Sequence, residues 1–166
     1  DRIGEIGSSL LRDGSVVMTH CHSTAVVSIV KTALLQGKRV EAYVKETRPL
    51  YQGRITARQL AQAGARVYLI ADSAAGYYMS KVEALMLGAD AIALDGSVVN
   101  KVGTYLASLA AREAGVPVYV AAESYKIDLK SGNAASIPIE MRSVDEVVDR
   151  KYLRENPGCL LYTSDA

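Results

Sequence analysis

Cys21 stands between two histidines in Thr19-His20-Cys21-His22-Ser23, directly after a short β-branched apolar run. The exposed N–H groups of a helix start and a neighbouring imidazolium both favour thiolate, which makes Cys21 a candidate base or nucleophile. A free cysteine is equally a small hydrophobe that cores bury and leave inert. Asp90 closes Gly88-Ala89-Asp90 after a second apolar run. A carboxylate desolvated on one side there has a raised pKa and can donate a proton, whereas a turn or cap Asp only bonds nearby backbone. Asn100-Lys101-Val102-Gly103-Thr104 reads as a helix opening with a capping amide, a cation and a glycine. Helix N–H groups beside a lysine suit a phosphate, and an ordinary capped helix needs no ligand. Arg48, Gln52 and Arg54 lie in one polar loop and Lys126 in another. Cations converging on one end of a nearly neutral protein point to an anionic small molecule, against the alternative of solvated loop charges.

The usual signatures of nucleotide and metal chemistry are missing. Neither Gly-x-Gly-x-x-Gly nor Gly-x4-Gly-Lys-Ser/Thr occurs. His20-Cys21-His22 makes a poor zinc site, because neighbours on an extended segment point to opposite faces and the only other soft ligand is Cys159. No metal site is expected.

The elements that must position these residues alternate. Apolar, β-branched runs at 16–19, 40–44, 67–71 and 116–121 read as strands, and 84–87 and 91–94 are apolar segments separated by Gly88-Ala89-Asp90. Helical spacing covers 25–34, 56–63, 75–81 and 102–114, with Gly37, Gly64 and Gly115 as stops. Tyr77, Tyr78 and Met79 fit a helix with one packed face and read as structural. Continuous apolar strands between amphipathic helices are the pattern of a doubly wound α/β fold, a mostly parallel sheet with helices on both faces. In such folds ligands bind beyond the carboxyl ends of the strands. That rule selects the loops 20–25, 46–53, 72–76, 88–90 and 123–126, which hold many of the reactive side chains.

Composition bounds the reading. The chain has 166 residues, a net charge of +1 and 49% hydrophobic residues, enough for one domain with a real core. The charge argues against a nucleic-acid partner, and no apolar run approaches the ~18 residues of a membrane span. Two cysteines make no disulfide scaffold, so a reducing, cytoplasmic setting is expected. Residues 1–14 read as the end of a helical region, 15–158 as the α/β domain, and 159–166 as a tail without a packing pattern, which together suggest a fragment of a longer chain.

Five ordered motifs carry a resemblance over roughly residues 10 to 155: Thr19-His20-Cys21-His22-Ser23, Glu46-Thr47-Arg48-Pro49 with Gln52-Gly53, Gly88-Ala89-Asp90, Asn100-Lys101-Val102-Gly103-Thr104 and Ala122-Glu123-Ser124-Tyr125-Lys126. They resemble the family that unites methylthioribose-1-phosphate and ribose-1,5-bisphosphate isomerases with the regulatory subunits of initiation factor 2B. The Ala122–Lys126 stretch and Ile139-Glu140-Met141-Arg142 look most like its archaeal-type ribose-1,5-bisphosphate isomerases. The resemblance implies a Rossmann-like fold and an aldose–ketose isomerisation giving ribulose 1,5-bisphosphate, in nucleoside monophosphate recycling. It implies Cys21 as proton acceptor and Asp90 as proton donor. Asn100, Lys101 and Lys126 become substrate-binding residues, Ser23, Thr24 and Ala25 line the sugar phosphate, and Gln52 matches a substrate-binding position of the methylthioribose branch. It implies a homo-oligomer, dimer or hexamer, and no metal or organic cofactor. Cys21 and Asp90 should then face one cavity, with Asn100 and Lys101 at its rim. A hydride shift with the thiol as electrostatic helper is a second route. The alternatives within the family are a methylthioribose-1-phosphate isomerase and a non-catalytic regulatory subunit; a sensor that binds sugar phosphate without turnover is a third. His22 departs from the Asn usual in the isomerases, and Thr24 from a Lys common in the nearest branch. The methylthioribose branch usually has a glycine soon after the cysteine, and none is present. The family's Arg-Gly-Ala phosphate loop and its closing carboxyl-terminal segment lie outside these residues, so the fragment alone is expected to be deficient in activity.

Overall fold

Short runs of valine, alanine, leucine and methionine pair into a sheet in the computed structural model, which describes residues 2–157. Five strands, β1 (Ser15–Thr19), β2 (Val40–Lys45), β3 (Arg66–Ile70), β4 (Ala84–Leu87) and β7 (Val118–Val120), are all parallel, in the order β3-β2-β1-β4-β7. β1 is the centre of the register, with Val17 opposite both Ala42 and Ala84. The chain leaves β1 toward β2 and β3, then returns to place β4 on the other side. This reversal opens a crevice between the carboxyl ends of β1 and β4, where open α/β sheets bind ligands.

Side chains alternate across the sheet and so build two cores. Val17, Ala42, Val44, Ala84 and Met86 face α2 (Thr24–Leu35) and α3 (Gly53–Gln62), where Val26, Ile29, Val30, Ala33 and Leu60 meet them. Met18, Leu85 and Leu87 face α4 (Ala75–Met79) and α5 (Thr104–Glu113), meeting Met79, Ala107 and Ala111. The fold is the doubly wound α/β arrangement expected. α1 (Arg2–Ser8) rests on α2, and a Cβ on Gly7 would lie 2.3 Å from Ile29. α6 (Arg150–Glu155) follows a loop-rich segment, and the expected tail 159–166 lies outside the described residues. No helix among the described residues is long and apolar enough to cross a membrane.

Several element expectations need correction. Of the two apolar segments, 84–87 joins the main sheet as β4 and 91–94 does not. Only β5 (Ala91–Ile92) is extended, and it pairs antiparallel with β6 (Val98–Val99), because a tight turn at Asp95-Gly96, with Gly96 at φ +84, folds the segment back on itself. The helix expected from residue 102 begins at Thr104, since Gly103 has φ +95 and no helix passes through it. α3 starts at Gly53, earlier than expected, and α4 ends at Met79 after a 3-10 turn over Asp72–Ala74. Tyr78 packs against the core, whereas Tyr77 is largely exposed and touches it only through Tyr78. The Tyr43 ring stacks 4.7 Å from Tyr68 and 4.9 Å from Tyr78, and Tyr77 meets Tyr78 edge-on at 4.9 Å.

Two glycines separate close approach from mere flexibility. A Cβ on Gly53 would sit 1.7 Å from the Lys45 carbonyl oxygen, so α3 reaches the end of β2 only with glycine there. Gly76, inside α4, has nothing within 4 Å of a Cβ. Gly53→Ala should therefore lower unfolding stability by about 1–3 kcal/mol, and Gly76→Ala should raise it by about 0.5–1 kcal/mol. Urea denaturation of both variants checks the opposite signs.

Candidate active site

β1 and β4 end side by side, and their turns meet at the crevice. The residues 20–22 lead from β1 into Ser23, whose side chain caps α2 by accepting the Val26 N–H at 3.3 Å. The residues 88–90 follow β4, and a Cβ on Gly88 would lie 2.7 Å from Ser23 Oγ. Glycine alone lets these two turns touch. Between them lies a cavity of about 170 Å³. It is lined by Ser23, Thr24, Ala25, Asp90, Asn100 and Lys126 of the expected set, together with His22 and Glu123. The first turn of α2 presents free amide groups to it.

The remaining expected residues sit elsewhere. Cys21 immediately precedes the lining and is half-buried. Lys101 is buried and borders a larger, mostly apolar hollow of about 580 Å³ along α5 and β7, which shares Asn100 with the polar cavity. Gln52 lines neither. It stands at the start of α3 with its Oε1 buried and without a hydrogen-bond partner among the described residues. Asp90 is exposed, and the one-sided desolvation expected for it is absent, because its turn lies at the surface with its N–H bonded to the Val99 carbonyl at 2.8 Å. Asn100 does not cap α5. The left-handed Gly103 takes that place, and the Asn100 amide donates to Thr104 Oγ1 at 2.9 Å.

The expected convergence of loop charges also fails. Arg48 donates to the Val147 carbonyl at 2.8 Å and to the Tyr51 hydroxyl, and Arg54 lies 3.8 Å over the Tyr51 ring and 3.6 Å from Glu46. Stacking and local pairing hold both guanidinium groups away from the cavity, where Lys126 is the cation among the lining residues.

Beneath the cavity lies a buried polar network that sequence reading missed. Asp72 accepts the N–H groups of Thr47 at 2.9 Å and of Arg48 at 2.6 Å. Thr47 Oγ1 accepts the Cys21 N–H at 2.8 Å and lies 3.2 Å from His20 Nδ1. Thr56 donates its hydroxyl to the Cys21 carbonyl at 2.9 Å. Lys45, fully buried at the end of β2, donates to the Gly103 carbonyl at 3.1 Å. Cys21, Thr47 and Tyr51 all adopt positive φ, at 65°, 64° and 58°. Left-handed backbone at non-glycine residues is costly and clusters at functional sites. The Arg48-Pro49 peptide in the same loop is cis. The available signals were a lysine ending an apolar strand, and an aspartate heading the loop after β3.

His20 corrects one electrostatic expectation. Burial, reinforced by the nearby Lys45 charge, pushes its pKa down to about 4. It is neutral near pH 7 and supplies no imidazolium to a Cys21 thiolate. Burial also pushes the Lys45 pKa down, against the pull of Asp72. No group of three or more His, Cys, Asp or Glu among the described residues could hold a metal ion.

Known proteins share this fold. The model of the Initiation factor 2 subunit family matches residues 1–165. The chain belongs to that family. It is 49% identical over 147 residues to the ribose 1,5-bisphosphate isomerase of Haloferax volcanii, covering 89% of this chain and 46% of that protein. A 5-methylthioribose 1-phosphate isomerase from Pyrococcus horikoshii superposes with a TM-score of 0.89 at 33% identity, over 99% of this chain and 49% of that one. The translation initiation factor eIF-2B subunit delta from A. fulgidus gives the same TM-score at 34% identity, over 99% and 51%. The chain thus spans about half the length of the relatives it matches. Isomerases and initiation-factor subunits of the family share one scaffold.

His20 sets a pH limit on this scaffold. The unfolded chain binds a proton near the ordinary histidine value of 6.5, and the folded chain refuses it until about pH 4. Stability contributed by neutral His20 is therefore complete above about pH 6.5 and falls as pH drops toward 4, by up to roughly 3 kcal/mol. Urea midpoints measured between pH 7 and pH 5 should fall in the wild type, and His20→Gln should flatten that slope.

Proposed function

We propose that this chain is the catalytic part of an aldose–ketose isomerase that converts ribose 1,5-bisphosphate to ribulose 1,5-bisphosphate. The observation that carries the reading is the small polar cavity at the switch point. There the Cys21 and Asp90 turns meet over the amino end of α2, beside Asn100 and Lys126. The 49% identity to the Haloferax volcanii isomerase supports it.

The chemistry follows from the substrate. A phosphate on C1 prevents simple reversal of the hemiacetal, so an acid must protonate the ring oxygen as its bond to C1 opens. Asp90 has that task. Cys21 as thiolate removes the C2 proton and returns it to C1. The proton leaving the C2 hydroxyl restores Asp90 as C2=O forms. The free amides of α2 at Thr24 and Ala25, behind Ser23, hold one phosphate, and Lys126 supplies positive charge. Asn100 orients the sugar. The transfers stay within one molecule and call for neither a redox cofactor nor a metal.

The reading extends to a cytoplasmic homo-oligomer, dimer or hexamer. The residues of β7 are each 38% exposed, and Leu106 lies bare beside them, which leaves apolar surface for a second copy. Light scattering of the full-length protein should give a mass of at least two chains, and a monomer would overturn this extension.

Turnover of ribose 1,5-bisphosphate by the full-length protein is the direct test. Cys21→Ser and Asp90→Asn should each lower kcat by at least about 10²-fold, the range of a lost general acid or base. No ribulose 1,5-bisphosphate from the wild type, or unchanged rates in both variants, would overturn the reading. Better turnover of methylthioribose 1-phosphate would move the chain to the other isomerase branch.

A further inference from the structure

His22 lines the cavity and has no part in the reaction above. Its Nδ1 lies 3.1 Å from Thr56 Oγ1. The Thr56 hydroxyl has one proton, which it donates to the Cys21 carbonyl at 2.9 Å. Thr56 is buried, so its oxygen offers only a lone pair to the ring. Nδ1 must therefore carry the hydrogen, and neutral His22 keeps its lone pair on Nε2. His20 is locked the opposite way, because its Nε2 lies 2.7 Å from the Val102 carbonyl, which can only accept. Two histidines flanking one cysteine hold opposite tautomers.

Besides the carboxylates of Asp90 and Glu123, the cavity is furnished with donors: the α2 amides, the Asn100 amide and the Lys126 ammonium. Those suit phosphate oxygens. Sugar hydroxyls also need acceptors, and Nε2 of His22 has no partner among the described residues. We infer that His22 is a substrate-contacting residue, its Nε2 accepting a hydrogen bond from a hydroxyl of the phosphorylated sugar, with Thr56 as the positioning residue that sets its tautomer. The inference rests on the phosphorylated-sugar reading and deepens it, since an Asn at this position can bond Thr56 but cannot reach as far into the cavity.

These 166 residues hold two histidines, and in imidazole ¹⁵N spectra their signals are assigned by their loss in His20→Gln and His22→Asn. In the full-length protein His22 should show the Nδ1–H pattern and His20 the Nε2–H pattern. Thr56→Val should mix the His22 tautomers, and Thr56→Ser should preserve them and control for misfolding. Adding ribose 1,5-bisphosphate should move the His22 Nε2 resonance. In kinetics, His22→Asn keeps the link to Thr56 and should raise KM about tenfold with little change in kcat, the loss of one hydrogen bond. An Nε2–H tautomer at His22, or a His22→Asn enzyme with wild-type KM, would overturn the inference while leaving the isomerase reading intact. A wild type without turnover would overturn the isomerase reading instead. The His22 inference would then be decided by whether its Nε2 resonance moves on titration with ribose 1,5-bisphosphate.

Discussion

The Asp72 carboxylate is the anchor on which the geometry of the candidate site depends. By accepting two successive backbone N–H groups it holds Thr47 left-handed, and Thr47 then accepts the Cys21 N–H. Charge-assisted bonds to backbone amides are among the stronger ones available to a protein. Here they offset a conformation that a β-branched residue avoids. The same relay reaches His20 and, through Lys45 and Gly103, the loop that carries Asn100 and Lys101. Loops after three strands and the loop before α5 are thus tied by one network, which adjoins the cavity through the Thr56–His22 contact.

Close backbone approach is the second constraint. Gly88 against Ser23 and Gly53 against Lys45 bring turn against helix start at distances that no side chain permits. One contact closes the cavity and the other seats α3, whose Thr56 holds the Cys21 carbonyl. Sheet topology brings the turns after β1 and β4 together, and glycine decides that they touch.

Much of this was legible in the residues. Alternating apolar runs gave the strands and α2, because burial on two faces of a parallel sheet writes itself directly into composition. The loops were legible as a site because the strand ends of such sheets converge. The rest depended on contacts distant in sequence. Nothing in the run 40–45 announces that Lys45 is buried, since its partners are a carbonyl and a carboxylate from other loops. Arg48 and Arg54 read as substrate cations, yet a tyrosine in their own loop holds them. The apolar segment after Asp90 left open which partner it pairs with, and a turn only a few residues on folds it into the hairpin of β5 and β6.

The tyrosine cluster has a practical consequence. The chain contains 10 Tyr and neither Trp nor Phe, so every aromatic optical signal is phenolic. Tyr43 and Tyr68 belong to β2 and β3, while Tyr77 and Tyr78 belong to α4. Their stacked and edge-on rings join a short helix to the sheet edge farthest from β7. Near-ultraviolet dichroism and tyrosine emission of the native chain therefore carry an intrinsic reporter of α4 docking, without any introduced label.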